Sequence, residues 1–260
     1  MDLNLSGKHA LVCGGSEGIG RAAAIELAAL GADVTLLARR DDALRDAVAA
    51  LPARATQCHG HLVADVSQAT ALADAVAALI AKKPVHILVN NTGGPPGGPA
   101  HAAAIDAYLD AFNKHLVANH TLLQAVLPGM RGARWGRIVN VISTSVYEPI
   151  PNLGVSNTIR GAVASWAKTL SRELGGDGIT VNNVLPGYTR TQRLDQILAD
   201  RSTATGKSRD DIANAMLASV RRAFRRGRRD RWRDCLPVHA AAAYVNGQSL
   251  AVDGGRMQSI

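Results

Sequence analysis

The sequence predicts a single α/β domain built on a doubly wound parallel sheet of about seven strands with helices on both faces, and three observations predict it. Short β-type apolar runs alternate with Ala-rich runs of helical periodicity from residue 8 to about 184. A glycine-rich turn stands where the first strand meets the first helix. No internal repeat or linker-like stretch divides the 260 residues, a length that suits one domain with a sizeable core. Right-handed crossovers between such units place a ligand crevice at the carboxyl ends of the strands.

In chain order, strands are expected at 9–13, 34–38, 61–64, 87–90, 138–142 and 180–184, with a last one near 249–252. Helical periodicity is clear at 21–30 and 69–80. The first strand runs into Gly14-Gly15-Ser16-Glu17-Gly18-Ile19-Gly20. Glycines permit a tight turn there, and the N-terminus of the following helix offers N–H groups and a positive dipole end to a pyrophosphate. Gly14, Ser16, Gly18, Ile19 and Gly20 are therefore candidate cofactor-binding residues. The second strand ends at Ala38, followed by Arg39 and Arg40. A carboxylate there would accept from a ribose 2′-OH; a guanidinium pairs instead with a 2′-phosphate, so NADP(H) is the expected cofactor.

Hydrophobic residues make up 47% of the chain, and no apolar run approaches 18 residues, so neither disorder nor a membrane span is expected. The first residues do not read as a signal peptide. Cys13, Cys58 and Cys235 show no metal spacing. A reduced, cytoplasmic setting and no metal site are the expectations. Net charge is +8 and the pI about 9.9, values that suggest a polyanionic partner, but eight arginines fall within 221–233.

The ordered motifs resemble the short-chain dehydrogenase/reductase family, across essentially the whole chain. Gly14, Gly18 and Gly20 match its T-G-x-x-x-G-x-G loop, with Cys13 in the Thr position. Asp65-Val66, at the expected end of strand three, falls where the family contacts adenine. Asn90-Asn91-Thr92-Gly93 is similar to N-N-A-G, and Pro186-Gly187 with Thr191 to the P-G-x-x-x-T that lines the nicotinamide end. Val252-Asp253-Gly254-Gly255 resembles the C-terminal signature. The resemblance implies a Rossmann fold, and adds Asp65, Val66, Asn91, Gly93, Pro186, Gly187 and Thr191 to the cofactor site. It also implies a homotetramer, or homodimer, through helices at about 104–132 and 155–175.

The family's chemistry rests on Asn, Ser, Tyr and Lys. Ser143 matches the Ser, but Ser156 stands at the Tyr position, Arg160 at the Lys position and His115 at the Asn position. A Ser hydroxyl is far less acidic than a phenol near pKa ~10. Arg stays protonated and cannot shuttle a proton, though its charge stabilises a developing alkoxide. His115, by the ordinary imidazole pKa, and Tyr147, four residues past Ser143, are the candidates for the missing acid/base; each has the alternative role of helix filler or pocket wall. This S-N-x-x-R pattern resembles a divergent branch of the family associated with 3-oxoacyl reduction. Two functions stay open: an NADP(H)-dependent oxidoreductase on a carbonyl or alcohol with an atypical site, or a nucleotide-binding pseudoenzyme.

Residues about 190–222 fall in the family's substrate lid. Leu194, Ile197, Leu198, Ile212, Met216 and Leu217 offer an apolar face, which suggests a medium or large apolar small-molecule substrate or simply lid packing. Residues 225–239 replace an amphipathic helix that the family places before Tyr244-Val245-Asn246-Gly247. Written in GC-rich codons and read one base later, 225–238 becomes Gly-Glu-Ala-Asp-Glu-Ile-Gly-Gly-Val-Ile-Ala-Phe-Leu, which resembles that helix. The expectation is a pair of compensating frameshifts. In the printed frame the stretch carries six Arg and two Asp, net +4; in the other it carries two Glu and one Asp, net −3, and the chain falls from +8 to about +1. No nucleic-acid partner is then implied. Tryptic peptide masses across 222–244 decide between the frames.

Overall fold

The first predicted strand, β1 (His9–Cys13), is buried at every position, the mark of a strand covered on both faces by helices. The computed structural model describes residues 3–218, 220, 225–226 and 238–259. The main sheet has seven parallel strands in the order β3-β2-β1-β4-β5-β6-β9. They are β1, β2 (Asp33–Ala38), β3 (Gly60–Val63), β4 (Ile87–Asn90), β5 (Gly136–Val141), β6 (Ile179–Pro186) and β9 (Ser249–Val252). A two-residue pair, β7 (Thr189–Arg190) with β8 (Arg225–Arg226), stands apart from it. Chain order reverses between β1 and β4, so the crevice of a doubly wound sheet opens there.

Helices α1 (Gly18–Ala29) and α2 (Asp41–Ala49) cover one face. There Ala10 and Val12 of β1 pack with Leu27 and Leu44. Helices α3 (Ala69–Ile80), α5 (Ala118–Gly132) and α6 (Gly154–Leu174) cover the other, where Leu11 and Cys13 pack with Leu72, Leu122 and Leu170. Successive residues of one strand thus feed two separate cores. Burial pushes the Cys13 thiol up to about 12, so it behaves as a small core hydrophobe.

Two boundaries differ from expectation. The first helix begins at Gly18, inside the glycine turn, where a left-handed φ of 57° swings the chain from the loop into the helix. Strand β3 ends at Val63, so Asp65 and Val66 lie in the turn beyond it. Asp65 there accepts from the backbone N–H and the hydroxyl of Ser67, bonds that stop the strand and, with burial opposing, lower its pKa.

Three structural features position the site. The expected helix at 104–132 is α4 (Ile105–Phe112) and α5 joined by one π turn, Asn113–Val117. A side-chain amide ladder crosses the sheet near its carboxyl end. Asn90 donates to Asn140 (2.8 Å), Asn140 to Asn183 (2.9 Å) and Asn183 to the Ser249 hydroxyl (3.0 Å), each pair in register. Beyond β7, α7 (Gln192–Thr205) and α8 (Arg209–Ala218) pack through Leu194, Ile212 and Met216 against Tyr188 and Leu198. Much of the lid's apolar face is therefore used on itself. Most of 225–239 lies outside the described residues.

Candidate active site

The carboxyl ends of β1, β2, β4, β5 and β6 border a cleft of about 620 Å³. It is lined by Gly14, Ser16, Gly18, Ile19, Arg39, Arg40, Asp65, Val66, Asn91, Gly93, Pro186, Gly187 and Thr191, so almost the whole expected cofactor set converges. Gly20 does not line it. A Cβ at Gly20 would sit 2.2 Å from the Gly14 carbonyl oxygen, so this glycine lets α1 close against the loop. Gly14 and Gly18 take left-handed φ of 58° and 57°, which an L side chain rarely adopts. Asn91 donates to the carbonyls of Cys13 (3.3 Å) and Gly14 (3.4 Å), tying the loop to the end of β4.

These residues fit a dinucleotide. Helix α1 has no side-chain cap at Glu17, so its first N–H groups remain for a pyrophosphate. A Cβ at Gly93 would meet nothing within 4 Å, which leaves open space beside the cleft wall. Arg39 and Arg40 are exposed at the end of β2. Arg40 pairs with Glu17 at 3.3 Å, an exposed contact that a phosphate displaces at little cost.

At the reaction end, Ser143 follows β5 in extended backbone, and its hydroxyl oxygen accepts from the Ser145 N–H at 3.1 Å. Ser156 lies in the first turn of α6, with Arg160 one turn further on; both line the cleft. Arg160 is buried and donates to the carbonyls of Val141 (3.0 Å) and Thr92 (3.4 Å). Its guanidinium thereby bridges the ends of β4 and β5 beside Ser143.

Two expected residues are not brought there. His115 sits in the π turn, is buried and does not line the cleft. Burial first, then the Arg160 charge, push its pKa down from 6.5 to about 3, and a backbone hydrogen bond with Gly93 offsets only part. This environment favours the neutral imidazole. Tyr147 also lies off the cleft, 52% exposed, with its hydroxyl donating to the Ser249 carbonyl at 3.3 Å. Its short helical turn, Thr144–Val146, carries it outward.

The depressed His115 pKa has a consequence for stability. Folding that holds an imidazole neutral is fully favoured above the unfolded pKa of 6.5 and loses stability as pH falls below it. We expect urea midpoints to be flat above pH 6.5 and the unfolding free energy then to drop by up to ~1.4 kcal/mol per pH unit for His115 alone. Buried His9, also held below 6.5, adds to the slope. His115→Asn should make it shallower and leave the part due to His9; an unchanged slope in that variant would refute the assignment.

Several cleft residues escape sequence reading. Tyr188 directly follows Pro186-Gly187, so its place was readable from the motif. Lys114, bonded to Asp110 at 2.8 Å, reaches the cleft from the π turn. Thr144 and Arg256 meet there at 2.9 Å across 112 residues, a contact no local pattern reports.

Comparison with known proteins agrees with this geometry. Residues 8–202 match the short chain dehydrogenase family. The chain is 32% identical to a 3-oxoacyl-[acyl-carrier-protein] reductase of Pseudomonas aeruginosa, over 99% of this chain and 100% of that protein. It is 29% identical to gluconate 5-dehydrogenase of Gluconobacter oxydans, over 97% and 95% of the two chains. Among solved structures, L-sorbose reductase from Gluconobacter frateurii with NADPH and L-sorbose superposes with a TM-score of 0.90 at 26% identity, covering 100% of both chains. Actinorhodin polyketide ketoreductase with NADPH gives 0.89 at 28% identity, covering 97% of this chain and 98% of the other. Fold, glycine cradle and relatives converge: the chain belongs to the short-chain dehydrogenase family.

Proposed function

We propose that the protein is an NADP(H)-dependent oxidoreductase that interconverts a carbonyl and an alcohol in an atypical site. The observation that carries this reading is that Ser143, Ser156 and Arg160 line the same cleft as the glycine cradle. When bound, the nicotinamide supplies or accepts a hydride. Ser143 orients the substrate oxygen, Arg160 stabilises negative charge developing on it, and the Ser156 hydroxyl with ordered water passes the proton. His115 is a positioning residue, holding the backbone at Gly93 and facing Arg160. Leu194 and Ile197 line the cleft, which supports an apolar part in the substrate. A cytoplasmic location fits the free thiols of Cys13 and Cys58. Exposed Ile105, Leu109 and Phe112, one stripe of α4, fit the homotetramer, or homodimer, that the family resemblance implies.

NADPH fluorescence titration with a carbonyl panel tests the reading. Binding with oxidation supports it. Binding without oxidation favours the second reading, a nucleotide-binding pseudoenzyme, which draws on the loss of both Tyr and Lys at their positions. Cofactor choice is tested separately. In Arg39→Ala/Arg40→Ala, the NADPH Kd should rise about tenfold or more, with the NADH Kd little changed. An equal loss for both cofactors would mean that these arginines do not read a 2′-phosphate.

A further inference from the structure

We propose that Arg256 is an anion-recognition residue and that the substrate is an oxo acid, or the matching hydroxy acid in reverse, whose carboxylate docks on it. This rests on the reductase reading and names its substrate class. Arg256 is brought to the cleft by the C-terminal turn, where Gly254 and Gly255 take left-handed φ of 71° and 80°. Its guanidinium donates to the Thr144 hydroxyl at 2.9 Å and lies 5.3 Å from the centroid of the Tyr188 ring. Thr144 and Tyr188 both line the cleft, so a hydrogen bond and an aromatic face hold the cation at its wall.

The nearby carboxylates are otherwise engaged. Asp253 accepts from the N–H groups of Gly255 (2.9 Å) and Met257 (2.7 Å). Glu148 accepts from those of Gln258 and Ser259, each at 2.8 Å, and these bonds lower its pKa ahead of any effect of Arg256. No ion pair among the described residues includes Arg256. Both acids thus shape the turn that presents the cation, and Glu148 feels the Arg256 charge without forming an ion pair with it. A guanidinium has five donors in a planar fork, which matches a carboxylate with two parallel bonds.

The acid must reach both ends of this part of the cleft. Thr144 is the neighbour of Ser143, and adjacent Cα atoms lie about 3.8 Å apart. Ser143, Thr144 and Arg256 line the same cleft, so one substrate can offer its carbonyl to Ser143 and its carboxylate to Arg256, and the chain length between them is what a graded series of oxo acids reads. The rest of the substrate is left to Leu194 and Ile197.

The test uses the full chain saturated with NADP+, which prevents reduction during the titration. The probes are 2-oxobutanoate, 3-oxobutanoate and 4-oxopentanoate, each against its methyl ester, by isothermal titration. We expect at least one acid to bind about tenfold or more tightly than its ester. Arg256→Gln should abolish that preference and Arg256→Lys should keep part of it. Esters that bind as well as acids in the unsubstituted protein overturn the proposal whatever the variants do, so a variant that fails to fold does not shield it. Retention of the acid preference in folded Arg256→Gln overturns it too. Oxidation of NADPH is read separately. Acid preference without turnover upholds the anion site and removes the reductase reading; turnover without acid preference does the reverse.

Discussion

Arg160→Gln is expected to lower kcat/KM for NADPH-dependent carbonyl reduction by about 10²–10³-fold, the usual effect of removing one charge-stabilising donor from an active site. The guanidinium is buried beside the cleft, where low dielectric strengthens its field at the substrate oxygen. Glutamine keeps a donor but removes the charge. Its shorter reach also frees the carbonyls of Val141 and Thr92, at a stability cost of roughly 1–3 kcal/mol. Thermal midpoint and NADPH affinity separate the two effects, because a purely structural role predicts loss of both with no selective drop in kcat. Arg160→Lys should recover part of the rate. If kcat of folded Arg160→Gln equals that of the unsubstituted protein, the charge plays no part in the chemistry.

Ser156→Tyr combined with Arg160→Lys is expected to raise kcat by about 10²-fold, the scale of a restored general acid. A phenol beside a cation can ionise near neutrality and act as a general acid itself, whereas a serine hydroxyl can only relay a proton that water supplies. Ser156 lines a cleft of about 620 Å³, which leaves room for a ring. Ser156→Tyr alone should gain less, since Arg160 is held by two carbonyls and keeps its proton. Single-turnover oxidation of NADPH reads the chemical step directly. A double variant no faster than the parent would show that proton delivery is not what limits this site.

The strands and the glycine cradle were legible because they are local. Ala10 and Val12 face one core and Leu11 and Cys13 the other, and such a fully buried run between turn signals reads directly as a central parallel strand. Gly14, Gly18 and Gly20 were legible because backbone geometry demands glycine at each. The surroundings of His115 and Tyr147 were not legible for a physical reason. Motif position named them, but direction and burial are set by packing. The π turn holds His115 inside the protein, where desolvation keeps it neutral, and a short helical turn sends Tyr147 outward. Arg256 stayed hidden because two left-handed glycines, not a sequence period, carry it back to Thr144.

The amide ladder lets the far strand be placed by contacts close to it in sequence. Every link from Asn90 to Ser249 runs one way, donor to acceptor, so the strands beneath it are indexed like teeth on a rack. A slip of one residue would turn these amides toward apolar neighbours and strand donors in the interior. Strand β9 is set by Ser249 on Asn183, by the Gln248 N–H on Asn182 and by Asn246, which accepts from Val181 and donates to Ser171. Asn182 also donates to the Val245 carbonyl. The sheet edge that carries Asp253 and Arg256 to the cleft therefore has its register set by side-chain contacts within a few residues of the strand itself, with Val245 the earliest of these contacts.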